Sequence, residues 1–139
     1  MSFQPDPNRP IYLQIIEEIK KRTVRGHYTA GSRLPSVREL ARELEVNPNT
    51  VARVYLELER EGFIETRRGQ GSFITGNPGK IDEERDRLAD DAAQRFVQEI
   101  SDIDLHNGHR MKLIEDISKK LLGTKDRFKK KNKNSEGEK

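Results

Sequence analysis

Asn49, Thr50 and Arg53 are hydrogen-bonding side chains set about one helical turn apart within the run Asn47–Glu61. An Asn or Arg projecting from a helix can make paired hydrogen bonds to the edge of an adenine or a guanine, and a Thr hydroxyl can reach a base or a phosphate. The chemistry these residues could do is therefore recognition of duplex DNA, with no bond made or broken. The run suits that use. Asn47 stands where an N-cap belongs and Pro48 at the first helical position, which together make a strong helix start. At about 100° per residue, Val51, Val54, Tyr55 and Leu58 fall on one side. Asn49, Thr50, Arg53, Glu57 and Arg60 fall on the other. The apolar side predicts burial, and the polar N-terminal turns predict a recognition helix in a major groove, with Arg53 placed for a guanine.

The preceding stretch must position that helix. Ser36-Val37-Arg38-Glu39 has the form of a capping box, with Ser36 and Glu39 each satisfying the other's backbone amide. Val37, Leu40, Ala41 and Leu44 follow as the inward side of a short helix, and Arg38 lies at its exposed start. Glu45-Val46 then turns the chain into Asn47. Glu45 occupies a place where Gly is common, because a left-handed conformation costs a residue with a Cβ about 1 kcal/mol or more. An ordinary helical hairpin shares part of this pattern but does not require polar groups crowded at the second helix's first turns.

Other chemistries find less support. The chain has no Cys, which removes disulfides, thiolate metal sites and Cys nucleophiles. Of the three histidines, His106 and His109 lie three apart near Asp102 and Asp104, a spacing that could hold a metal. They fall at a polar helix junction beside Gly108, where turn and capping roles suffice. The carboxylates of Asp82–Asp91 have the spacing of a solvated helix face. No nucleophile–base arrangement is visible, so neither a catalytic residue, a metal nor a cofactor is expected. The sequence shows no long apolar run and no signal-peptide core, so a cytoplasmic protein without membrane contact is expected. A net charge of +3 is unremarkable, but its distribution is uneven. Residues 80–118 hold six Lys/Arg against eleven Asp/Glu, and residues 119–133 hold eight against one.

Taken in order, Met1–Arg9 reads as a polar lead-in with Pro5 and Pro7. Pro10 begins a helix with Tyr12, Ile15, Ile16 and Ile19 on one face, and Gly26 is its plausible C-cap. Lys20, Lys21, Arg22 and Arg25 read as the solvated end of that helix, favourable to its dipole, more than as a phosphate contact. Phe63–Thr66 and Ser72–Thr75 are β-prone runs around Arg67-Arg68-Gly69-Gln70-Gly71, a hairpin whose tip suits a phosphate backbone or a minor groove. Its Gly-Gln-Gly lacks the strand and helix that a nucleotide-binding loop needs. Gly76-Asn77-Pro78-Gly79 marks a boundary. A long helix over Ile81–Ile103 and a second after Leu105–Gly108 then carry more apolar surface than two helices can bury alone, which points to a homodimer. Lys125–Lys139 is polar and basic, with the composition of a disordered tail.

The predicted fold is thus mainly α with a small β-hairpin. It comprises a winged helix-turn-helix over residues 1–75, a linker at 76–79, a two-helix dimerisation region at 80–124 and the tail from 125. Five motifs, Pro10–Ile15, Leu34–Ala41, Asn47–Tyr55, Glu59–Gly62 and Arg68–Phe73, in this order and spacing resemble the GntR family of bacterial transcription regulators over about half the chain. The short C-terminal part looks like the YtrA-like subgroup. The resemblance implies a dimeric regulator, usually a repressor and often of transporter operons, that binds double-stranded DNA. Ala52 stands where many GntR proteins carry an Arg after the Thr-Val pair, and Arg53 supplies the charge one step later. The expected contacts are Arg38, Asn47, Asn49, Thr50 and Arg53, with Arg67, Arg68, Gly69 and Gln70 as the wing. The competing role for Arg53 is a surface ion pair with Glu57, four residues on. Two other functions compete: a winged-helix module that docks protein or RNA, and a fragment of an aminotransferase-fused regulator, for which the stretch after Thr75 is too short.

Overall fold

The computed structural model describes residues 3–136, with side chains as far as Gly123. In order these residues form α1 Ile11–Val24, α2 Val37–Leu44, α3 Pro48–Arg60, β1 Ile64–Arg67, β2 Gly71–Ile74, α4 Pro78–Ser101 and α5 Asn107–Glu136. The chain divides into two compact units, residues 1–94 and 95–139.

In the first unit the apolar stripes foreseen on three helices meet around α3. Val51, Val54 and Leu58 have no accessible surface. Ile15, Ile16 and Ile19 of α1, Leu40, Ala41 and Leu44 of α2, and Leu34, Phe63, Ile64 and Ile74 complete the core. Each Val, Leu, Ile or Phe side chain among these contributes about 1.5–3 kcal/mol on burial, so α3 cannot rotate about its axis without large cost. The capping box forms as expected: Glu39 N donates to Ser36 Oγ at 3.1 Å, and Ser36 N donates to Glu39 Oε2 at 3.0 Å. Between α2 and α3, Glu45 takes the left-handed conformation (φ 57°, ψ 47°), and Val46 N donates to Ala41 O at 3.0 Å.

The hairpin pairs antiparallel in the register Ile64↔Ile74, Glu65↔Phe73, Thr66↔Ser72 and Arg67↔Gly71. Both strands begin one residue away from the expected positions. Phe63 still closes the end of α3, donating its amide to Leu58 O at 2.9 Å, so pairing starts at Ile64. The segment before α2 lies along the far side of β2, with a bridge between Arg33 and Phe73. Leu34 N donates to Ser72 O at 2.8 Å, and Ile74 N donates to Ser32 O at 2.9 Å.

Two expectations at the helix ends need correction. Lys20 and Arg22 are not solvated decoration: they are 6% and 8% exposed. Lys20 Nζ lies 2.8 Å from Glu61 Oε2 and 3.0 Å from Glu84 Oε2, the latter an ion pair without an aligned hydrogen bond. Arg22 donates to Glu18, Tyr28 and Glu43 at 3.1, 3.2 and 2.7 Å. Burial alone would lower the Arg22 guanidinium, but these bonds outweigh it and hold the pKa above its ordinary value. Carboxylates from elements distant in sequence make the burial tolerable.

The boundary also falls differently. α4 opens at Pro78, inside the expected linker, with Gly79 N bonded to Asn77 Oδ1 at 3.0 Å. Its first turns belong to the first unit, where Ile81 joins the core and Lys80 Nζ donates to Glu61 O at 2.6 Å. Arg85 donates to Val24 O at 3.4 Å, so α4 satisfies carbonyls at the ends of both α1 and α3.

The second unit holds the end of α4 and α5. Phe96, Val97, Ile103, Met111, Ile114, Leu121 and Leu122 are large apolar side chains left exposed, with Ile114 59% and Leu121 66% accessible. α5 continues to Glu136, so residues 125–136 depart from the expected disorder. Between Gly123 and Gly137 there is no Gly or Pro to interrupt the backbone ladder. The expected tail's last three residues, 137–139, lie outside the described residues.

Because Glu45 pays for a left-handed backbone with nothing but its position, Glu45→Gly is expected to stabilise the first unit by about 0.5–1 kcal/mol. Urea unfolding should show a higher midpoint at unchanged slope, and a lower midpoint would contradict this.

Candidate nucleic-acid interface

The Asn47 side chain caps α3, with Oδ1 accepting from Asn49 N at 2.8 Å. That bond engages its oxygen and leaves its amide hydrogens for another partner. Asn49 is exposed and Thr50 half-buried. Thr50 N donates to Asn47 O at 3.0 Å, so the first turn is tightly wound beneath these two side chains.

Arg53 is exposed, yet it is held. Its guanidinium carbon lies 3.8 Å from the centroid of the Tyr12 ring. The expected competing partner is engaged elsewhere, since Glu57 Oε1 accepts from Arg60 Nη1 at 3.0 Å. Stacking covers a face of the guanidinium and leaves the in-plane N–H groups at its edge, which are the groups that pair with a base. Tyr12, expected in the apolar face of α1, is half-buried: it packs against the core and also supports Arg53. No spacing within α1 distinguishes Tyr12 from its aliphatic neighbours, because the partner comes from α3.

Arg38 is exposed and, among the described residues, has no ion-pair partner. With Ala41, Arg42, Glu45, Val46 and Pro48 it lines a concave surface between α2 and the start of α3. The structure thus brings Arg38 together with the beginning of α3.

The wing is a separate cluster. Arg68, Gly69 and Gln70 form the exposed tip, closed by Gln70 N donating to Arg67 O at 2.9 Å, with Gly69 at φ 77°. Arg67 lies in β1 and not at the tip, its guanidinium carbon 4.2 Å from the Phe73 ring centroid and Nη2 3.7 Å from Glu65.

A further residue orients α3. The Tyr55 hydroxyl donates to Pro35 O at 2.6 Å, tying α3 to the segment that leads into α2. Burial first, then the neighbouring Tyr28, Glu39 and Glu43, push the phenol well above its ordinary pKa, so it stays a donor. Sequence placed Tyr55 in the core but gave no sign of its acceptor, twenty residues away.

Among the described residues no group of three or more His, Cys, Asp or Glu side chains could hold a metal. His106 and His109 stack with ring centroids 6.3 Å apart. No helix among the described residues is long and apolar enough to cross a membrane.

A family profile described as bacterial regulatory proteins, gntR family, matches residues 11–74. The chain is 45% identical over 105 residues to an uncharacterised HTH-type transcriptional regulator of Bacillus subtilis (strain 168), YhcF, covering 76% of this chain and 87% of YhcF. Over 77 residues it is 49% identical to the HTH-type transcriptional repressor YtrA of the same strain, covering 55% of this chain and 59% of YtrA. A solved GntR family transcriptional regulator from Listeria monocytogenes matches with a TM-score of 0.70 at 37% identity, over 81% of this chain and 98% of that one.

Tyr55→Phe leaves the Pro35 carbonyl without its donor and is expected to cost about 1–1.5 kcal/mol of stability. Chemical denaturation measures this, and a variant as stable as the parent would show that the bond does not hold α3 in place.

Proposed function

The chain belongs to the gntR family of bacterial regulatory proteins, and from that premise we propose that it is a repressor binding a pseudo-palindromic operator as a homodimer. Its relatives are HTH-type transcriptional regulators and not enzymes. In the proposed complex Arg38, Asn47, Asn49, Thr50 and Arg53 face the major groove. Arg67, Arg68, Gly69 and Gln70 lie against the backbone or in the adjacent minor groove. The observation that carries this reading is the polar face of α3: its first turns are accessible, while the opposite side has no accessible surface at Val51, Val54 and Leu58. Arg53, stacked on Tyr12, is the residue assigned to a guanine.

Dimerisation through the second unit is supported by its uncovered apolar side chains, Phe96, Val97, Met111 and Ile114 among them. A second copy of the same surface would cover them with two-fold symmetry, which matches a palindromic site. Repression is supported by the similarity to YtrA, a transcriptional repressor, and control of a transporter operon, exercised in the cytoplasm, follows the resemblance to the YtrA-like subgroup.

Selection of bound DNA from random duplexes should return an inverted repeat with half-site centres about 34 Å apart. Binding should fall steeply with added salt, and Arg53→Ala should lose roughly 5–150-fold of discrimination at one base pair per half-site, the equivalent of about 1–3 kcal/mol. Unchanged base preference in that variant would remove Arg53 from the interface. Ile114→Asp is expected to shift sedimentation from dimer to monomer and to weaken operator binding. A dimer of undiminished stability would place the subunit contact elsewhere.

A further inference from the structure

The outer face of the wing carries a second arginine that comes from outside the hairpin. Residues directly opposite each other in antiparallel pairs share a face of the sheet, and alternate residues along a strand return to it. Glu65 and Arg33 both pair with Phe73, and Arg67 pairs with Gly71, two residues before Phe73. Arg33, Arg67, Glu65 and Phe73 therefore share one face, opposite the one on which Ile64 and Ile74 enter the core.

Both guanidinium groups lie along that face. Arg67 covers the Phe73 ring at 4.2 Å. Arg33 lies over Gly71, where a Cβ would stand 3.0 Å from Arg33 Nε and 3.4 Å from Nη2. Gly71 has φ 112°, so both its backbone and the space above it favour glycine. Gly71 and Phe73 are two residues apart on one strand, about 7 Å, so two cations are held as close neighbours. Arg67 has Glu65 at 3.7 Å. Arg33 is exposed and, among the described residues, has no ion-pair partner. Like charges brought together on an open surface repel, and an anion placed between them removes that cost.

Arg33 also borders the entrance to α2. It lines a depression with Pro35, Ser36 and Glu39, two of which form the capping box that begins the helix bearing Arg38. An unpaired cation thus stands between the proposed groove-facing helix and the proposed wing.

We propose that Arg33 is a phosphate-binding residue: it and Arg67 form a two-arginine seat on the wing's outer face for the sugar-phosphate backbone of duplex DNA. The assignment rests on the DNA-binding reading above and adds to it a contact from the segment before α2. Phosphate contacts carry no base information, so this one strengthens binding to every duplex alike.

The test measures affinity of the full chain for the selected operator and for a random-sequence duplex across a salt series. Arg33→Ala is expected to weaken both by a similar factor, roughly 5–20-fold at moderate salt, and to lower the slope of log affinity against log salt by about 0.9 per subunit, about 1.8 for the bound dimer. Arg33→Lys should restore the slope. Arg33→Gln, which keeps a polar stem over Gly71, should behave as Arg33→Ala does, and thermal unfolding verifies that each variant is folded. If Arg33→Ala and Arg33→Gln keep parental affinity and slope while Arg38→Ala and Arg67→Ala lose both, the seat is overturned and the DNA-binding reading stands. If none of the four changes binding, the reading falls and the seat with it. A loss confined to the operator would also overturn the proposal, because it would make Arg33 a base reader.

Discussion

The rotation of α3 about its own axis is the constraint on which the rest of this structure depends. Val51, Val54 and Leu58 project at helical intervals into a core with no accessible surface left for them. A turn of about 100°, one residue, would bring polar side chains into that core, where an unpaired polar group costs about 1–3 kcal/mol or more. The Tyr55 hydroxyl on Pro35 O adds a directional bond to this non-directional packing. What α3 offers to the outside is therefore decided by what it buries. The accessible side chains of Asn49 and Arg53 owe their presentation to aliphatic residues that never meet a partner.

A second feature ties the ends of the helices together. α4 begins where the hairpin finishes, and within nine residues it supplies Lys80 to Glu61 O, Ile81 to the core, Glu84 to Lys20 and Arg85 to Val24 O. Charge balances here: the buried pair Lys20 and Glu84 is flanked by the exposed Glu61 and Arg87, with Arg87 2.7 Å from Glu84. Such a knot contributes little net stability compared with an apolar one, but removing one partner leaves the others stranded. It specifies where α4 starts.

The parts of the fold that were legible in sequence are those fixed by near neighbours. The Ser36/Glu39 box, the Asn47 cap and the left-handed Glu45 each follow from residues within a few positions, and each stands as expected. The apolar stripes of α1, α2 and α3 were legible for the same reason. What escaped was set by partners far along the chain. Lys20 and Arg22 looked solvated because Glu84, Glu61 and Glu43 are distant in sequence. Arg53 had only Glu57 as a competing partner within its own helix, yet Tyr12 of α1 holds it. The start of α4 was hidden because Asn77-Pro78 serves equally as a turn and as a helix opening, and the docking of Ile81 with the Lys20–Glu84 contact decides between them. The length of α5 was hidden because a Lys- and Asn-rich composition suggests disorder, while the absence of Gly and Pro after Gly123 leaves a helix open.

The stack of Arg53 on Tyr12 has a consequence beyond placement. An arginine free in solution wanders among many rotamers, and ordering it costs up to about 2 kcal/mol. Here the stack, which contributes about 0.5–1 kcal/mol at an exposed site, removes part of that wandering by the time the chain is folded. Whatever meets the edge of this guanidinium finds a flat donor array already oriented, and the meeting proceeds with a smaller entropic toll. A lysine at position 53, with a point charge and no planar face to lay on the ring, would arrive still mobile.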